Sequence, residues 1–143
     1  MIDRPFWRQR LDAAWKQARI VWLTGPRRVG KTVLAQGIGR GMGVTDPIKS
    51  SSFVIMNEYD GASLRLFHAD LYRLEEPAQV AELALGELAS SGVLVVEWPE
   101  RALDELPPER LRLQLDYDGA RGRVIVARAE GDRYEAIVRR LTR

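Results

Sequence analysis

The chain has 143 residues, a formal net charge of +2, and 45% hydrophobic and 29% charged residues, a balance that excludes a disordered chain and predicts one globular domain. It contains no cysteine, so a disulfide scaffold, a thiolate zinc site and a cysteine nucleophile are excluded. No apolar stretch reaches the length of a membrane span and the N-terminus has no apolar signal core, so a cytoplasmic location is expected.

The first quarter of the chain is basic. Apolar residues recur at three- and four-residue steps over residues 3–18, which predicts an amphipathic helix. Residues 1–36 contain eight Lys and Arg against two Asp, whereas the remaining residues are net acidic. The asymmetry suggests either an anionic ligand near the N-terminus or a solvated basic helix.

A strand, a loop and a helix follow. The apolar run Ile20 to Thr24 predicts a buried strand, and Lys31 to Met42 predicts a helix that ends at Gly43. The residues between and into that helix, Gly25 to Thr32, read Gly-Pro-Arg-Arg-Val-Gly-Lys-Thr and match G-x-x-x-x-G-K-[ST] in full. An alternative is a glycine-rich turn that only caps a helix, but it would leave the Lys-Thr pair unexplained.

This P-loop motif predicts a phosphate site with ATP or ADP and Mg²⁺ as cofactors. Its glycines allow the backbone to wrap around phosphate, and its N–H groups bind the oxygens with help from the helix dipole. Lys31 would reach the β- and γ-phosphates, and the Thr32 hydroxyl would be a magnesium ligand. The nucleotide-binding residues predicted from the motif are Gly25, Arg28, Val29, Gly30, Lys31, Thr32 and Val33.

The middle of the chain mixes strands and helix. Residues 45–52 form a polar loop, and strands at 53–59 and 64–68 are predicted to pair as a hairpin. Pro77 to Ala89 is predicted as one helix. Residues 93–96 are all apolar, which is typical of a buried central strand.

Glu97 directly follows that central strand. A P-loop site requires an acid at this place, to orient the metal or the attacking water. A carboxylate after four buried residues is costly unless it meets water, a metal or a cation. The alternative is a strand-end glutamate that emerges into solvent.

The last third predicts a second hairpin and a closing helix. Alternating leucines over 111–115 and valines at 124–126 flank a turn at Asp118-Gly119, and residues 132–141 have helical periodicity. The whole pattern predicts a single α/β domain over residues 1–143, with three layers and a mixed sheet flanked by helices.

Four motifs occur together in the order and spacing of one family. They are Lys49-Ser-Ser-Ser-Phe53, Asn57-Glu-Tyr59, His68-Ala-Asp-Leu-Tyr-Arg-Leu74 and Val96-Glu-Trp-Pro-Glu100. In these motifs, from about Gln36 to the C-terminus, the chain resembles the TsaE (YjeE) family of P-loop NTPases. Members are small bacterial ATPases required for the threonylcarbamoyladenosine modification of tRNA.

The resemblance implies roles for four further residues. It implies that Ser52 and Glu97 join Thr32 as metal ligands, that Asp70 and Glu97 are the catalytic acids, and that Trp98 lies beside the nucleotide. From the residues alone, Ser52 is better explained as a turn residue, Asp70 as a turn cap and Trp98 as a packing residue. His68, the only histidine, is best explained as a strand residue with a satisfied ring.

Two segments depart from the family pattern. Ser50-Ser51-Ser52 stands where the family usually has Ser-Pro-Thr, and Arg27-Arg28-Val29 stands where it usually has Leu-Gly-Ala. Residues 1–36 resemble the start of an AAA-type ATPase. We therefore expect a division into an AAA-like N-terminal quarter, 1–36, and a TsaE-like body, 37–143.

The resemblance implies an ATPase that turns over slowly and resets a tRNA-modifying complex. Its partners would be TsaD- and TsaB-type proteins, with tRNA as an indirect partner and no membrane. The main alternative is an AAA-type ATPase fragment or nucleotide switch with unrelated partners, but only 46 residues follow Glu97, too few for a helical lid domain. A small-molecule kinase and a non-catalytic nucleic-acid binder fit less well, since the chain lacks an arginine-rich lid and basic residues interleaved with aromatics.

Overall fold

A computed structural model describes residues 19–49 and 55–142. The strands are β1 (Ile20–Thr24), β2 (Met56–Asp60), β3 (Arg65–Asp70), β4 (Gly92–Glu97), β5 (Arg110–Asp118) and β6 (Gly122–Glu130). The α-helices are α1 (Lys31–Gly41), α2 (Ala78–Glu82), α3 (Leu85–Ser91) and α4 (Asp132–Leu141), with 3-10 turns at Pro99–Arg101 and Leu103–Glu105. The helix predicted over 3–18, the ligand prediction at Ser52 and the start of the strand predicted at 53–59 lie outside the described residues.

The six strands form one mixed sheet in the order β2-β3-β4-β1-β5-β6. The four inner strands are mutually parallel, and the outer strands β2 and β6 pair antiparallel with β3 and β5. The two predicted hairpins are thus confirmed, and each adds an antiparallel edge to a parallel centre. This arrangement confirms the α/β class, a mixed sheet flanked by helices.

The centre of the sheet forms the core. Every residue of β1 and β4 is buried, which explains why both strands are continuous apolar runs rather than alternating ones. β5 alternates between buried leucines and half-buried polar residues, because one of its faces is less well covered. β1 and β4 are neighbours, so the loop after β1 and the acid that ends β4 lie at the same edge of the sheet.

The helix predicted over 77–89 is two short helices in the structure. Ala84 has a φ of 48° and adopts the left-handed conformation between α2 and α3. A left-handed residue cannot continue a right-handed helix, so the helix is interrupted at Ala84. The apolar periodicity of the sequence runs on across this interruption and gives no sign of it.

Within residues 19–49 and 55–142, no helix combines the length and the apolar character needed to cross a bilayer.

Candidate nucleotide site

Three residues of the loop between β1 and α1 have a positive φ, a backbone conformation that residues with a side chain rarely adopt. Gly25, Arg28 and Gly30 have φ values of 134°, 63° and 110°. At Gly25 a side chain is also excluded by space, because a Cβ there would collide with the carbonyl oxygen of Leu115. The loop therefore needs glycine at Gly25 for two independent reasons, and it leads directly into the N-terminus of α1, which favours anions.

Lys31 is buried inside this loop, with only 5% of its surface exposed. Its Nζ donates hydrogen bonds to the carbonyl oxygens of Gly25 at 2.5 Å and Pro26 at 2.7 Å. It also lies 3.8 Å from the centroid of the Trp98 ring. Burial lowers the pKa of Lys31 below 10.5, and the nearby carboxylates, Glu97 first, oppose that shift.

Glu97 meets two side chains from separate elements. The Thr32 hydroxyl lies 3.2 Å and 3.3 Å from its two carboxylate oxygens, and His68 Nε2 lies 2.6 Å from Oε2. Both Glu97 and His68 are only 2% exposed. A buried carboxylate is stable only when its oxygens have such partners, and the burial of Glu97 excludes the alternative that it emerges into solvent.

Asp70 and Trp98 lie beside Glu97. Asp70 is its register partner on β3, and Asp70 Oδ1 accepts a hydrogen bond of 3.0 Å from the Tyr72 backbone N–H. Asp70 therefore caps a turn, and it also lies next to the candidate site. Trp98 has a φ of 57°, and its ring lies 5.0 Å from that of Tyr72.

The donor set suits magnesium bound through a nucleotide. In the described ranges there is no cluster of three or more His, Cys, Asp or Glu side chains able to hold a metal alone. A P-loop magnesium site does not need one, because phosphates and water supply most of the ligands. The Thr32 hydroxyl and the Glu97 carboxylate already touch each other, as two oxygens converging on one ion would.

Most of the residues predicted for the site come together in the fold. Lys31, Thr32, Glu97 and Trp98 form one cluster around the loop, and Val33 lies exposed on the first turn of α1. Sequence reasoning missed the partner of His68. Its ring is satisfied as predicted, but by Glu97, and only the register of β3 with β4 reveals that.

Comparison with known proteins decides the family. The family model for threonylcarbamoyl adenosine biosynthesis protein TsaE matches residues 6–125. The chain belongs to the TsaE family. This TsaE-family chain is 35% identical to the tRNA threonylcarbamoyladenosine biosynthesis protein TsaE of Bacillus subtilis over 136 residues, which cover 94% of the chain and 85% of that relative.

Two further matches agree with the TsaE assignment. The TsaE of Synechocystis is 41% identical over 107 residues, 72% of this chain and 68% of the relative. The crystal structure of YdiB from Bacillus subtilis superimposes with a TM-score of 0.74 at 29% identity, covering 99% of this chain and 90% of that one. The family match starts at residue 6, so it includes most of the segment 1–36 that resembles an AAA-type ATPase.

Proposed function

We propose that this TsaE-family protein binds ATP with Mg²⁺, hydrolyses it slowly and thereby supports threonylcarbamoyladenosine modification of tRNA with TsaD- and TsaB-type partners. The observation that carries the proposal is the contact between the Thr32 hydroxyl and the buried Glu97 carboxylate. It joins the last residue of the phosphate-binding motif to the acid of the neighbouring strand, and these two groups organise magnesium in P-loop enzymes.

Each residue of the cluster has a role in this proposal. Lys31 and the loop N–H groups bind the phosphates, while Thr32 and Glu97 hold magnesium. Bound Mg²⁺ would neutralise charge on the phosphates. Asp70 is the register partner of Glu97 on the neighbouring strand, which supports the family-implied role of Asp70 near the γ-phosphate. Ser52 is proposed as a further metal ligand from the family resemblance alone.

The environment of Glu97 supports slow turnover. Its carboxylate interacts with Thr32 and His68, so it is held rather than poised to take a proton from water. P-loop enzymes often need a residue from a partner to complete the site. We therefore expect the rate of ATP hydrolysis to rise when TsaD- and TsaB-type proteins bind. A role in tRNA modification also implies a cytoplasmic location.

The alternative of an AAA-type fragment has less support. It rests on residues 1–36, and residues 6–36 fall within the TsaE match. After Glu97 the described chain forms two 3-10 turns, a hairpin and one helix, whereas an AAA lid is a helical domain. The domain division at residue 36 stays a prediction.

The proposal is tested by adding the purified protein to TsaD- and TsaB-type partners, tRNA and the threonylcarbamoyl donor, and counting turnovers of modified tRNA. We expect multiple turnovers with the wild-type protein and none beyond the partners' own with Lys31→Ala, because that variant loses its phosphate contact. Calorimetry of ADP binding to both proteins provides the control. Equal ADP affinity of wild type and Lys31→Ala would refute the nucleotide site, and no stimulation despite intact binding would refute the role in tRNA modification.

A further inference from the structure

The β5–β6 hairpin touches the phosphate-binding loop along its length. The carbonyl oxygen of Leu115 packs against Gly25 so closely that it leaves no room for a side chain. Further out, the Tyr117 hydroxyl donates a 2.9 Å hydrogen bond to the carbonyl oxygen of Arg27. Arg123 Nε donates a 3.0 Å hydrogen bond to the carbonyl oxygen of Val29. These contacts join residues more than 85 positions apart in the sequence.

The two carbonyls flank the strained residue of the loop. Arg28 lies between them with a φ of 63°, a conformation that costs a non-glycine residue about 1 kcal/mol. In a trans peptide the C=O of one residue and the N–H of the next point in opposite directions. Hydrogen bonds that draw the Arg27 and Val29 carbonyls toward the hairpin therefore turn the N–H groups of Arg28 and Gly30 to the other side of the loop.

Tyr117 and Arg123 also support each other. They are direct partners in the antiparallel ladder of β5 and β6, and the Arg123 guanidinium lies 4.5 Å from the centroid of the Tyr117 ring. Tyr117 is 48% exposed, so burial in the core does not account for its position. Its hydroxyl has the loop carbonyl as its partner, which points to a role in shaping the loop.

We infer that Tyr117 and Arg123 are positioning residues of the phosphate-binding loop: by holding the carbonyls of Arg27 and Val29, they aim the N–H groups of Arg28 and Gly30 at the phosphates. This inference rests on the proposed nucleotide site. It gives the C-terminal hairpin a share in nucleotide affinity through the backbone of the loop.

The test compares Tyr117→Phe, which removes a single hydroxyl, with Arg123→Met, which removes the donor and keeps the stem. Arg121→Met is the matched control, because Arg121 is exposed in the turn of the same hairpin. Affinities for ADP and for inorganic triphosphate are measured with Mg²⁺ by calorimetry. Each test variant should bind ADP and triphosphate more weakly, with the same loss of affinity for the two ligands. We expect a loss of about threefold to tenfold, as for one lost hydrogen bond. The control should bind both ligands as the wild type does.

A second readout needs no ligand. The amide NMR signals of Arg28 and Gly30 should shift in Tyr117→Phe and stay in place in Arg121→Met, while the melting temperature of Tyr117→Phe stays close to that of the wild type. A variant that merely loosened the fold would lower the melting temperature instead. If Arg123→Met fails to fold, Tyr117→Phe alone decides the question.

Three results would overturn the inference. Unchanged affinities in both variants would show that the loop holds its shape without the hairpin. Weaker ADP binding with unchanged triphosphate binding would assign Tyr117 to the nucleoside instead. Unmoved amide signals of Arg28 and Gly30 would remove the orientation argument. If Lys31→Ala still binds ADP, the nucleotide site itself fails; if it does not and Tyr117→Phe behaves as wild type, only this inference fails.

Discussion

Glu97 links the loop that follows β1 to the sheet, because its carboxylate contacts side chains from two other elements. The Thr32 hydroxyl approaches it from α1 and His68 Nε2 from β3. Its place after four apolar strand residues predicted the acid that a P-loop site requires at the end of a neighbouring strand. Its partner His68 could not be predicted, since the two residues are 29 positions apart and meet only through the register of β3 and β4.

Replacing Glu97 by Gln should separate binding from turnover. The amide keeps the size of the side chain and can still hydrogen-bond to Thr32 and His68, with a donor NH2 group in place of one acceptor oxygen, but it loses the charge that would organise magnesium. We expect ADP affinity within about threefold of the wild type and ATP hydrolysis lower by about 100-fold, measured as phosphate release at saturating ATP. Glu105→Gln, an exposed acid at the end of the 3-10 turn Leu103–Glu105, should hydrolyse ATP normally. Wild-type hydrolysis by Glu97→Gln would remove Glu97 from the mechanism.

Arg28 is the strained residue of the loop. It stands where the family usually has glycine, yet its φ is 63°. Arg28→Gly should raise the free energy of unfolding by about 0.5 to 1 kcal/mol, because relief of strain exceeds the added freedom of the unfolded chain. Urea unfolding of the nucleotide-free protein measures this change.

The control for that prediction is its neighbour. Arg27 is not among the residues with positive φ, and its guanidinium lies 4.8 Å from the Tyr72 ring centroid. Arg27→Gly should therefore lower the free energy of unfolding. Destabilisation of equal size in both variants would show that the backbone at Arg28 carries no strain.

At the scale of the elements, the sequence predicted where strands and helices lie better than where they break. Period-two patterns and turn residues located both hairpins. The break between α2 and α3 at Ala84 was not predicted, because alanine is the best helix former and nothing in its neighbourhood indicates a left-handed residue. Tertiary packing of two short helices overrides that propensity.

The bracing of the phosphate-binding loop by the β5–β6 hairpin is also a property of elements. In the sequence, Tyr117 and Arg123 are ordinary residues of a half-exposed hairpin. They reach the loop because β5 is the direct, parallel neighbour of β1. The C-terminal end of β5 therefore lies beside the C-terminal end of β1, where the loop begins.

At the scale of the whole molecule, the last helix is tied to the first described strand. Tyr134 of α4 is 4% exposed, and its hydroxyl oxygen accepts a 3.1 Å hydrogen bond from the backbone N–H of Ile20. Burial raises the pKa of Tyr134 above 10.0. The neutral phenol is therefore the form that stabilises the folded protein.

Tyr134→Phe should lower the free energy of unfolding by about 1 to 3 kcal/mol at about pH 8, because a buried N–H loses its acceptor. Above pH 10.0 the unfolded chain gives up the Tyr134 proton before the folded protein does, so this contribution to wild-type stability is lost as the pH rises. The difference between wild type and variant, measured by urea unfolding at about pH 8 and about pH 11, should therefore shrink. A difference that stays constant over this range would contradict the prediction.

The sequence by itself determined the phosphate-binding loop, the acid that follows the central strand, the hairpins and the α/β class, because each of these depends on residues close together in the chain. Only the tertiary structure decided that His68 and Thr32 share Glu97 and that Tyr117 and Arg123 hydrogen-bond to the loop. Those contacts follow from strand order and register, which bring residues 29 to 94 positions apart into contact. Local patterns cannot specify them, since a shift of one residue in register would turn every side chain of a strand to the opposite face.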